Sequence, residues 1–152
     1  MDKPMTKEIA QKMLQSNEES LRDLALLHYP ELGSITDRVK TYEDACRVLG
    51  VNPDIVISDV LSNAEIAYRK LCVVIKALNG GWKPCLGDLC EHKYFLIFRL
   101  ENGCQVFHGV DTFFSRSEVP ITSLFKSHEL AEYAGTQFID LYRNWLQMED
   151  YK

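Results

Sequence analysis

The chain has 152 residues, 46% of them hydrophobic and 26% charged, with a formal charge of −5. That length supports one ordinary domain with its own core, and the composition excludes a disordered chain. Residues 1–79 carry 10 basic and 12 acidic side chains and residues 80–152 carry 7 and 10, which argues against capture of nucleic acid or an anionic membrane by charge.

The first half reads as helices. Thr6 caps a predicted helix to about Gln15, with Ile9, Met13 and Leu14 on its apolar side. Ser16 to Glu19, "SNEE", has the capping-box spacing, in which a Ser hydroxyl and a Glu carboxylate three residues on each accept the other's amide. It predicts a second helix with Leu21, Leu24, Ala25 and Leu27 inward, stopped near Pro30. "TYED", Thr41 to Asp44, starts a short helix carrying Ala45, Val48 and Leu49 and ending at Gly50.

Residues 51–61 read either as a short strand or as an irregular crossing. A third capping box, Ser62 to Glu65, opens the most regular helix of this half. Ala64, Ala67, Leu71, Val74, Ile75 and Leu78 recur there at helical spacing, and "NGG" ends it.

The pattern then changes to strands. "KYFLIFRL" (93–100) and "CQVFHGV" (104–110) flank Asn102-Gly103, the dipeptide best suited to a two-residue hairpin turn. That turn pairs Glu101 with Cys104, Phe98 with Phe107 and Ile97 with His108. One face then carries Leu96, Phe98, Leu100 and Phe107, and the other Phe95, Ile97, Val106, His108 and Val110. Both faces are apolar, so the hairpin is expected either to lie inside the fold or to offer the second face to a partner. "VPITSLF" suggests a third strand. Ser127 caps a long last helix with Leu130, Ala134, Phe138, Leu141, Trp145 and Met148 in one stripe.

"CLGDLCEH" (85–92) raises the question of a metal. Cys85, Cys90 and His92 are zinc-type ligands, but the spacing is at the wide edge for a structural site. Cys104 and His108, on one strand, lie roughly 13 Å apart and cannot easily serve one ion. The expectation is therefore no metal and no cofactor, with Cys85, Cys90 and His92 as the candidates if there is one. No phosphate-binding glycine loop or nucleophile elbow is present, so no catalytic residue is assigned. Adjacent carboxylates such as Glu43/Asp44 fall at helix starts, where negative charge has an electrostatic role already.

No apolar run approaches the roughly 20 residues a membrane helix requires. The segment MDKPMTKEIAQKM lacks the apolar core of a signal peptide. A cytoplasmic protein with reduced thiols is expected.

"TKEIAQKML", "TYEDACRVLG", "EIAYRKLCVVIKALNGGWKP" and "FKSHELAEYAGTQFIDLYRNWL" together resemble a group of small uncharacterised proteins of phages and prophage-like elements of gut anaerobes. The resemblance spans nearly the whole chain and implies no catalytic residues. It implies a host-cell cytoplasmic or virion-associated setting. In similar proteins an acidic, Asn-rich loop stands where this chain has "CLGDLCEH", which makes Cys85 and Cys90 departures from the pattern.

The expected architecture is a single α+β domain over 1–152: a helical first half, a small antiparallel sheet with a central hairpin, and a long last helix on the sheet. The expected function is a non-enzymatic phage-type accessory protein acting by protein–protein contact, with an unknown protein partner or by self-association. Two other classes compete with it: a weak binder of single-stranded nucleic acid using the aromatic sheet, and a Cys- or zinc-centred enzyme.

Overall fold

Two of the three capping boxes form as read. The computed structural model describes residues 4–56, 59–113 and 119–146. In it Thr41 caps helix α4 (Tyr42–Leu49) and Ser62 caps α5 (Asn63–Asn79), each reciprocally with the carboxylate three residues on. Both helices end on a left-handed glycine, Gly50 and Gly80, the conformation that only glycine adopts without strain. At Asp44, burial pushes the carboxyl up. Hydrogen bonds from Arg47, from the Lys40 amide and from Thr41 outweigh it and hold the group below its usual range.

The "SNEE" box does not form. The Ser16 hydroxyl accepts instead from the Glu18 amide two residues on, a local turn that competes with the cap. Helix α2 (Glu19–His28) starts later, with Glu18 at the cap position and no side-chain cap.

The chain divides after Arg38 into two compact units. In the first, α1 (Lys7–Leu14) packs with α2, and Ala10 and Ala25 are buried. The Tyr29 hydroxyl donates to the Met5 carbonyl at 2.9 Å. A 3₁₀ turn at Pro30–Leu32 and a short helix α3 (Ile35–Arg38) follow. Leu27, expected inward, is 75% exposed.

The second unit holds α4, α5, strands β1 (Lys93–Glu101) and β2 (Cys104–Phe113), and helices α6 (His128–Gln137) and α7 (Ile139–Leu146). It is α+β, with α6 and α7 packed on a two-stranded antiparallel sheet. Helix α5 packs on α4 and α7. Its predicted stripe is buried from Ala67 through Leu71, Val74 and Ile75 to Leu78. "DIVISDV" is no strand where it is described: Pro53–Val56 is a 3₁₀ turn, and residues 57–58 lie outside the described residues.

The predicted third strand shrinks to one bridge. Tyr94 and Phe125 exchange backbone hydrogen bonds at 3.1 and 2.9 Å. Ile121–Ser123 turns as a 3₁₀ helix instead of running on beside β1. The buried Asn79 side chain replaces the missing neighbour. It donates to the Leu124 carbonyl at 2.8 Å and accepts from the Lys126 amide at 3.1 Å. Buried backbone groups have to be paired, and here one amide at the end of α5 pairs two of them.

The predicted long last helix is two helices, separated at Phe138. No proline stands at the break. The Thr136 hydroxyl donates back to the carbonyls of Glu132 and Tyr133, both at 3.0 Å, a back-bonding that bends helices. The break changes the stripe. Leu130, Ala134 and Phe138 are buried as expected, but in α7 the buried residue is Tyr142 while Leu141 and Trp145 are half-buried. Met148 lies outside the described residues.

Gly135 marks the closest approach of α6 to the sheet. A Cβ there would lie 2.6 Å from the Cδ2 and Cε2 atoms of Phe107. Gly135→Ala should therefore destabilise the protein by about 1–3 kcal/mol, although alanine is the better helix former. Urea unfolding would read this, and in a Phe107→Leu background the penalty should largely vanish. A Gly135→Ala variant as stable as the parent would show that ring and helix do not meet this closely.

Candidate functional site

The hairpin turn is as read: Asn102 and Gly103 both have positive φ, and Glu101 pairs with Cys104 and Phe98 with Phe107. Ile97, however, pairs with Gly109 and not with His108. A β-bulge places His108 as the extra residue of β2, and from there on the register moves by one. Val110 pairs with Leu96 and so belongs to the other face. The five residues expected on one face are divided: Phe95, Ile97 and Val106 stay together, His108 is exposed at the bulge, and Val110 has changed sides. Phe113 takes Val110's place, its ring 5.9 Å from that of Phe95.

The helices hold the Leu96–Phe98–Phe107 face. The Phe98 ring lies 4.9 Å from that of Tyr142, and Phe107 meets Gly135. The Tyr142 hydroxyl is buried without a hydrogen-bond partner among the described residues, and burial, with Cys72 nearby, pushes it well above its usual range. On the opposite face Phe95, Ile97, Val106 and Phe113 are half-buried. Among the described residues, the charged ones sharing their strand positions are Lys93, Arg99, Glu101 and Asp111, with Asp111 directly across from Phe95. A single-stranded nucleic acid stacks on aromatics set in a positive groove, and among the described residues of this face two basic side chains are matched by two acidic ones.

At the foot of this face the first strand residue, Lys93, is fully buried. "CLGDLCEH" is the loop that wraps it. The Lys93 ammonium donates to the carbonyls of Asp88 at 3.1 Å and Glu91 at 3.0 Å, and its nitrogen lies 3.4 Å from the Glu91 carboxylate. That carboxylate also accepts from the Cys85 amide at 2.7 Å and from the Trp82 indole at 2.9 Å. The Cys85 amide first, then Trp82 and Lys93, hold Glu91 below the usual carboxylate range. A buried charge needs a partner and satisfied hydrogen bonds, and the loop supplies both.

The metal-type residues of that loop do not converge. Cys85, Cys90 and His92 are exposed, and the His92 ring stacks near Tyr94 at 6.0 Å. Among the described residues no three His, Cys, Asp or Glu side chains are grouped to hold an ion. Glu91, Lys93 and Trp82 organise the loop, and no periodic or motif signal joins a tryptophan to a glutamate nine positions on.

Among the described residues no helix is long and apolar enough to cross a membrane. Comparison of the chain with protein-family models, curated proteins and solved structures finds no match.

Proposed function

We propose that the protein is a non-catalytic interaction module that receives a protein partner on the Phe95–Ile97–Val106–Phe113 face of its hairpin. One observation carries this reading: α6 and α7 engage the Phe98–Phe107 face, and the opposite face is a second apolar row. Its centre is aromatic and aliphatic, as at interface cores. Arg99, Glu101 and Asp111 share its strand positions and fit a partner with an apolar centre and charges of both signs around it. An accessory role in a phage or prophage setting rests on the sequence resemblance alone.

The test is affinity purification from the native host extract with the intact protein and with Ile97→Asp and Val106→Asp variants. A specific partner should be held about 30-fold less tightly by each variant, while Leu27→Asp, in the first unit, should retain it. Equal retention by the sheet variants would sink the proposal. Retention that collapses steeply with salt and is lost on nuclease treatment would replace it with nucleic-acid binding.

A further inference from the structure

The two edges of the hairpin are treated differently. In an antiparallel ladder, alternate residues direct their backbone N–H and C=O groups away from the neighbouring strand. On β1, Tyr94 points outward, since it bonds Phe125. Leu96, Phe98 and Leu100 share its parity and point outward too. On β2 the outward residues are Gln105, Phe107, Val110 and Thr112, by the same register.

The β2 edge is blunted in three ways. The Arg143 Nε donates to the Gln105 carbonyl at 2.9 Å. The Asp111 carboxylate accepts from the Thr112 amide at 2.7 Å. The bulge at His108 breaks the regularity between them. Caps and bulges of this kind protect an edge from further pairing. The β1 edge has none of them. The segment that starts to pair with it at Phe125 is drawn off, with Leu124 bonded to Asn79 and the Thr122 hydroxyl 2.7 Å from that of Tyr68. Among the described residues, the outer backbone groups of Leu96, Phe98 and Leu100 have no partner.

We propose that this edge pairs with the same edge of a second copy of the chain, antiparallel about a two-fold axis at Phe98, making a four-stranded sheet. The open stretch runs from Phe95, beside the Phe125 bridge, to Glu101, before the turn. Its midpoint is Phe98. Because Phe98 is an outward residue, a two-fold pairing centred there sets outward residues opposite one another: Phe98 on its copy, and Leu96 on Leu100 of the second chain. These pairs exchange about six backbone hydrogen bonds. A register centred on Leu96 would collide with the Phe125 bridge, and one centred on Leu100 would run into the turn. Registers centred on Ile97 or Arg99 also set outward residues opposite one another, but each pairs only two of the three open residues, for about four bonds, and the second sets Arg99 against its own copy. In the Phe98 register no like charges oppose: Arg99 faces Ile97 and Glu101 faces Phe95. Leu100, 68% exposed, gains a leucine beside it.

This inference uses the backbone edge and is independent of the sheet-face reading. The test is hydrogen–deuterium exchange together with sedimentation of the whole protein, from low to high micromolar concentration. The expected result is a dimer at high concentration, with the amides of Leu96, Phe98 and Leu100 exchanging about tenfold more slowly than in the monomer and those of Phe107 and Val110 unchanged. Leu100→Pro removes an outward N–H and spares the β1–β2 ladder, so it should abolish the dimer. A protein monomeric throughout the range overturns the proposal. So does a dimer in which these amides gain no protection, a result read on the unaltered chain. A monomer that still holds its partner through Ile97 and Val106 would leave the sheet-face reading standing.

Discussion

Phe125→Ala is expected to cost about 3–5 kcal/mol, a large part of the stability of a domain this size. The ring is fully buried. Its backbone joins the 119–125 segment to the sheet at Tyr94. Neighbouring Leu124 is buried as well and is bonded through its carbonyl to Asn79. The site therefore has three attachments that resist collapse around the cavity, and a cavity that cannot collapse keeps its full penalty. Urea denaturation of the intact chain should show the midpoint falling sharply. Phe125→Leu, which fills most of the space, should lose much less. A Phe125→Ala variant within about 1 kcal/mol of the parent would mean that the ring does not anchor the sheet to the helices.

The second large effect is expected at Lys93. Lys93→Met keeps the stem and removes the ammonium, leaving the Asp88 and Glu91 carbonyls without their donor and the Glu91 carboxylate without its counter-charge. The expected cost is about 3 kcal/mol, with the 85–92 loop loosened first. Exchange at the Cys85 and Cys90 amides would report that loosening. The pH dependence provides a separate check. The Glu91 carboxyl is held below its unfolded value. The stability it contributes is therefore complete above about pH 4.3, the ordinary glutamate value, and is lost as pH falls through the lower folded value. In Lys93→Met the carboxyl keeps Trp82 and the Cys85 amide but loses the ammonium, so this acid-induced loss should shrink. An unchanged acid limb together with unchanged stability would remove Lys93 as the organiser of the loop.

Both residues are invisible to pattern reading for the same reason. Phe125 sits in a segment that looks like any short strand, and its importance comes from Asn79 and Tyr94, far away in sequence. Lys93 is the first residue of an apolar strand and would ordinarily be read as a solvated charge. Only the folded loop brings carbonyls and a carboxylate to it. The cysteines beside them drew notice because zinc spacing is a local signal, whereas wrapping a lysine is not.

What the amino-acid order determined by itself is what local physics controls. The boxes at Thr41 and Ser62, the glycines at 50 and 80, the apolar stripe of α5 and the Asn102-Gly103 turn each depend on residues within a few positions of one another, and each is found where it was read. From these the α+β character of the second unit follows. Competition between alternatives, some local and some tertiary, decided the rest. Ser16 had two nearby amides to accept from and took the nearer. Phe138 remained buried while Thr136 bonded back, and the last helix broke in two there. One extra residue at His108 moved Val110 from one face of the hairpin to the other, because a strand's side chains alternate and a shift of one reverses them. The same alternation separates the face held by α6 and α7 from the one proposed to meet a partner, and it aims the backbone of Leu96, Phe98 and Leu100 outward. Which faces and edges stay open depends on how distant segments compete for them, and spacing along the chain carries no record of that competition.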